Sequence, residues 1–199
     1  MSATRADWRN MPRRIKITRE MIVDAATKTV RAFGTEALNA RSLAAMLDAS
    51  TQPIFSNFRS MDEVLAAVKE EAKRLYAERI ERFVSDGKYP NYKCTGLAYV
   101  SFATEERELF KLLFMRDREG EATDDVEHDE RVIHPLSEML GTDMETARLF
   151  HLEMWSLVHG VAVLQTTNYL PLSLELVSKM LSDVYRGLLY SLNINPQKT

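Results

Sequence analysis

Residues 39–58 run Asn-Ala-Arg-Ser-Leu-Ala-Ala-Met-Leu-Asp and then Ala-Ser-Thr-Gln-Pro-Ile-Phe-Ser-Asn-Phe, two short helical patterns meeting at a corner. Asn39 is a capping residue, and behind it Leu43, Ala44 and Leu47 fall on one helical face. Asp48-Ala49-Ser50 breaks that pattern. Asp is among the few residues that accept a positive φ, so Asp48 can turn the corner. Ser50 is placed to cap a second helix over Thr51–Asn57, in whose first turn Pro53 is tolerated. Ile54, Phe55 and Phe58 are expected to face inward, leaving Thr51, Gln52 and Ser56 outside. Such a pair fits a helix-turn-helix, in which one helix braces on the phosphate backbone and the other enters the major groove. The alternative is an ordinary αα-hairpin whose polar face binds nothing.

On the first reading the residues divide by chemistry. A Gln such as Gln52 can hold an adenine edge with two hydrogen bonds, and the hydroxyls of Ser50, Thr51 and Ser56 suit a base or a phosphate. Arg41 lies in the first turn of the bracing helix, within reach of either. Asn57 and Arg59 flank the end of the reading helix as phosphate contacts. Arg13, Arg14 and Lys16 form a basic arm.

Charge is distributed to match. Residues 1–60 carry ten Lys/Arg against five Asp/Glu, whereas the remainder carries 16 against 24. A basic head on an acidic body suits a polyanion partner at one end, or a solvated tail. With 45% hydrophobic and 28% charged residues the 199-residue chain is of the folded, globular kind. The single Cys94 excludes an intramolecular disulfide framework and fits a reducing cytosol. No apolar run is long enough to cross a membrane, and Met1–Lys16 lacks the apolar core of a signal peptide. The expected location is the cytoplasm.

Outward from the corner, helical patterns fill the chain. Thr18 caps a helix to Phe33 with Ile22, Ala26, Val30 and Phe33 on one face and Gly34 at its end. Ser60-Met61-Asp62-Glu63 has the form of a capping box and opens a long helix carrying Val64, Leu65, Val68, Ala72, Leu75, Ile80 and Phe83. Further helices are expected over 93–104, 105–116, 132–140, 143–167 and 173–192. Residues 118–130 read as an acidic loop. The predicted fold is all-α: a three-helix helix-turn-helix domain with its arm (1–62) and a larger helical ligand-binding and dimerisation domain (63–199).

Residues 18–65 resemble the DNA-binding domain of the TetR (tetracycline-repressor-like) family. Met21-Ile22-Val23-Asp24-Ala25-Ala26 with Phe33-Gly34 is similar to that family's first helix, and Ala40-Arg41-Ser42-Leu43-Ala44 to its second. Ala49-Ser50 through Phe58 is similar to the turn and recognition helix, and Ser60 to Leu65 to the start of the fourth. Four positions depart from the pattern, three of them in or beside the corner and reading helix: Asp48 stands for the usual turn Gly, Phe55 for a Tyr that often touches phosphate, and Met61 for a Lys that commonly does. Val30 also replaces a usual Phe. The resemblance implies a dimeric DNA-binding regulator, a repressor released by a small molecule, with the last two long helices pairing between chains. The apolar faces of 143–167 and 173–192 allow this, because helices apolar nearly all round need a second surface. A two-fold dimer matches a palindromic operator.

Trp155-Ser-Leu-Val-His159-Gly160 resembles the Trp-x-x-x-His-Gly signature of one subgroup of such C-terminal domains. Trp155 and His159 share a helical face, as pocket wall or as core. Tyr99, Phe102, Phe110, Phe114, Met115, Met139, Met144, His151 and Gln165 are further pocket candidates, which core packing explains equally well. His128 and His134 beside the carboxylates of 124–130 make a metal site conceivable, although a solvated loop is the default and no metal or other cofactor is expected. Cys94 would be redox-active only if exposed beside positive charge. Phosphate-loop, dinucleotide and Gly-x-Ser-x-Gly motifs are absent. An enzyme is therefore not expected, and a helical carrier or interaction module without DNA is the alternative.

Overall fold

The computed structural model describes residues 16–116 and 130–195, and these are all-helical. Helices α1 (Arg19–Phe33), α2 (Ala40–Met46) and α3 (Gln52–Asn57) form the head. A single 3-10 turn, Thr35–Ala37, joins α1 to α2. The body holds α4 (Met61–Ser85), α5 (Asn91–Glu105), α6 (Arg107–Phe114), α7 (Glu130–Leu140), α8 (Met144–Thr166) and α9 (Leu174–Ser191). Arg13 and Arg14, and the expected acidic loop except its last residue Glu130, lie outside the described residues.

Local sequence fixes most helix starts. Thr18, Asn39, Ser60, Asp143 and Ser173 each accept a backbone N–H in the first turn. The reciprocal capping box sits at Asn39–Ser42, where Ser42 Oγ accepts the Asn39 N–H. At Ser60 the expected box is displaced by one residue, because Glu63 Oε2 accepts the Arg59 N–H at 2.8 Å instead of the Ser60 N–H. Ser50 does not cap α3, whose N-cap is Thr51 with no side-chain bond. Three residues beyond Ser50 stands Pro53, which has no N–H for a capping oxygen to accept.

In the head, Ile22, Ala26 and Val30 of α1 meet Leu43 of α2 and Ile54 of α3, all essentially buried. Phe33 does not join them and is 73% exposed, the last residue of its helix before Gly34. Helix α4 starts in the head with Val64 and Val68 and continues into the body. The expected 62/63 boundary thus falls in its first turn. Body helices gather around α5, which packs on α4, α6, α8 and α9. Cys94, Leu97, Ala98, Phe102 and Ala103 have no exposed surface. At Gly96 an added Cβ would lie 3.3 Å from side-chain carbons of both Val158 on α8 and Leu181 on α9, so a larger residue there would press on both helices. None of the described helices is long and apolar enough to cross a membrane.

Candidate functional site

Two regions are singled out by chemistry, the corner of the head and an aromatic centre in the body. At the corner Asp48 has φ 48°, the left-handed conformation its short side chain tolerates. Helix α3 then points Ile54 (1% exposed) and Phe58 (2%) into the head. Gln52, Phe55 and Ser56 face solvent, and Thr51 and Asn57 are half-buried. Phe55 is the correction here. One helical step, about 100°, separates it from Ile54, which leaves its ring half exposed on the outer face.

The polar side chains of α3 are not equally available. Ser56 Oγ donates to the Gln52 carbonyl at 2.9 Å, and Asn57 Nδ2 donates to the Pro53 carbonyl at 2.8 Å. The Gln52 side-chain amide makes no hydrogen bond among the described residues. Lys16, Arg41 and Arg59 are exposed and without an ion pair among those residues. Arg19 behaves differently: its guanidinium pairs with Glu63 at 3.2 Å and lies 3.9 Å over the Phe58 ring, pinning α1 to the end of α3. The Arg59 N–H holds the Glu63 carboxyl below the ordinary carboxylate range, with Arg19 adding to the effect.

In the body Tyr99, Phe110 and Phe114 have ring centroids 4.8–5.1 Å apart, and Tyr76 of α4 closes the group 5.5 Å from Phe114 and 5.4 Å from Phe102. These are direct contact distances, so the rings fill the space between α4, α5 and α6. The Tyr99 hydroxyl is hydrogen-bonded to His159 Nδ1 at 2.9 Å, and Trp155 stacks on His159 at 4.9 Å and 12°. Burial pushes the Tyr76 phenol above its ordinary range.

Of the pocket candidates, Tyr99, Phe102, Phe110, Phe114, Trp155 and His159 come together. Others do not. His151 is two helical turns away, bonded to the Tyr92 hydroxyl at 3.0 Å, beside Phe150 and Tyr185. Gln165 holds the α8–α9 connection by accepting from Leu172 N–H and donating to the Leu172 carbonyl. Met115 and Met139 are about two-fifths exposed, and Met144 opens α8. Tyr76 and Tyr92 were not among the sequence candidates. The signal for Tyr76 was there: it lies four and eight residues after Ala72 and Val68 on the same helical face.

Cys94 is fully buried and its Sγ contacts the Phe83 and Tyr89 carbonyls, and burial pushes its thiol up. His134 faces solvent near Glu138, and no group of three metal-ligating side chains assembles among the described residues. His128 and the carboxylates of 124–129 lie outside them.

Residues 94–184 match the family model described as the tetracyclin repressor-like C-terminal domain. The chain is similar in fold to a solved member of the TetR family from Streptomyces coelicolor A3. Their sequences are 18% identical, the match covers 83% of this chain and 96% of that one, and the TM-score is 0.59. No curated protein matches the chain.

Proposed function

We propose that the chain is a DNA-binding transcriptional regulator of the TetR kind, a repressor that binds a palindromic operator as a homodimer and responds to a small molecule. The observation that carries this reading is the outer face of α3. A six-residue helix anchored by Ile54 and Phe58 holds Gln52 exposed and, among the described residues, unbonded, with Arg41 on α2 and Arg59 beyond α3 exposed and without an ion pair among those residues. Exposed cations on the elements before and after an exposed polar helix face suit a phosphate-lined groove. The similarity of residues 94–184 to a repressor-like C-terminal domain supports it from the other end of the chain.

The dimer is proposed through α8 and α9. Leu149, Leu174 and Leu176 are 37–45% exposed there, and Gly160 and Gly187 face open space where a second helix can approach closely. The effector would enter by displacing rings of the Tyr99–Phe110–Phe114 group, taking a polar contact from Tyr99 or His159. Its route to the head runs through α6, because Arg31 Nε donates to Glu106 Oε2 at 2.6 Å, tying α1 to the residue just before α6. An effector that favours a different α6 position shifts the population away from the DNA-matched spacing by its differential affinity.

The test is selection from a random duplex pool. A palindromic consensus retained by a dimer is the expected outcome. Retention of no duplex above background would leave the carrier or interaction module as the function.

A further inference from the structure

We propose that Phe55 is a base-reading residue, its ring packing on the C5-methyl of a thymine in each half-site, beside an adenine held by Gln52. This rests on the DNA-binding reading above and adds the composition of the sequence that α3 recognises.

The outer face of α3 has few polar groups still uncommitted. Ser56 has turned its hydroxyl hydrogen to the Gln52 carbonyl, and Asn57 has turned its amide to the Pro53 carbonyl. Thr51 is half-buried. Two groups remain fully presented, the Gln52 amide and the Phe55 ring, which is 50% exposed. They are three residues apart, hence neighbours on one helical face with Cβ atoms about 5–6 Å apart. That spacing spans one to two stacked base pairs.

An exposed ring flanked in sequence by exposed cations on α2 and beyond α3, which form no ion pair among the described residues, is poorly matched to an apolar protein partner and well matched to a duplex. A phenyl ring, lacking a hydroxyl, has no hydrogen bond to give a phosphate. Inside a major groove the apolar group available to it is the thymine methyl. The neighbouring amide suits adenine, which presents an acceptor and a donor on the same edge. Both groups therefore select A·T pairs, and neither selects G·C.

The experiment uses the duplex recovered from the random pool. Each thymine within the half-sites is replaced in turn by deoxyuridine, which removes the methyl and leaves pairing intact. Binding is followed by fluorescence anisotropy at one fixed salt concentration for the natural chain, Phe55→Ala and Phe55→Tyr, with circular dichroism confirming that each is folded. At one position per half-site the natural chain should bind the uracil duplex about fourfold more weakly, the effect of withdrawing one methyl from contact. Phe55→Ala should bind thymine and uracil duplexes alike, and Phe55→Tyr, which keeps the ring, should retain the difference. Indifference of the natural chain at every position, or an undiminished uracil effect in Phe55→Ala, overturns the proposal while leaving DNA binding intact. A pool that yields no bound duplex overturns the DNA reading and this assignment with it.

Discussion

Replacing Glu105 by Ala should destabilise the protein far more than replacing its partner Arg79 by Met. Arg79 is only 9% exposed between α4 and α5. Its Nη1 donates to Ser101 Oγ at 2.6 Å and lies 2.7 Å from Glu105 Oε2, and its Nε is buried without a partner. Removing the carboxylate strands a buried guanidinium, a change that costs about 3–5 kcal/mol when water cannot follow. Glu105 is itself 59% exposed, so water can enter the vacated space, which favours the lower end. A loss of about 3 kcal/mol corresponds to a melting temperature lower by roughly 6–12 °C at this chain length. Arg79→Met keeps the apolar stem, removes the buried charge together with the orphaned Nε, and leaves Glu105 to solvent. Its net effect should stay within about 1 kcal/mol. Thermal and urea unfolding of both single variants and the double variant read this directly, and the double should match Arg79→Met. Equal losses in the two single variants, or additive losses in the double, would refute the claim that the pair compensates its own burial.

The remaining expectations concern the head, the aromatic centre and acid stability. Gln52→Ala and Arg41→Ala should each weaken operator binding by about 1–3 kcal/mol with unchanged melting curves, and binding should fall linearly on a log–log plot against salt. Normal binding by both variants would remove the proposed recognition surface. Trp155→Ala, which unstacks a half-buried indole from His159, should cost about 2 kcal/mol, less than the roughly 3–5 typical of a fully buried aromatic. An unchanged melting curve would make Trp155 peripheral. Glu63 has its folded-state pKa lowered by the Arg59 N–H and by Arg19, so its stabilising effect is present above the ordinary value of 4.5 and is lost as pH falls through the folded value. The stability gap between the natural chain and Glu63→Gln should accordingly close on acidification, and a gap independent of pH would contradict the assignment.

Helix starts were legible where a side chain makes the cap: Thr18 and Asn39 stand where their chemistry requires, and the helices expected from 143 and 173 start one residue later because Asp143 and Ser173 serve as their caps. The corner at Asp48 was legible for the same reason, a local conformation few residues accept. What failed was finer. Ser50 reads as a cap until the missing N–H of Pro53 is considered. Phe55 and Phe33 read as core because they are large and apolar, but hydrophobicity does not say which of two adjacent apolar residues on a short helix turns inward. In the body the apolar period on α8 could not separate Trp155 and His159, which meet Tyr99, from His151, two turns earlier and bonded to Tyr92. That division depends on which α5 residue lies opposite, a tertiary fact absent from either helix's own pattern.

The central claim is that the outer face of α3 enters a duplex, twice per dimer. Chemical protection of guanine N7 and thymine in the major groove, on the selected duplex and with the full chain bound, measures this most directly. Two protected patches on one face of the duplex, their centres about one helical turn or a whole multiple apart, are expected, and with Gln52→Ala both should need a higher protein concentration to form. A bound complex whose major-groove bases stay fully reactive would contradict it.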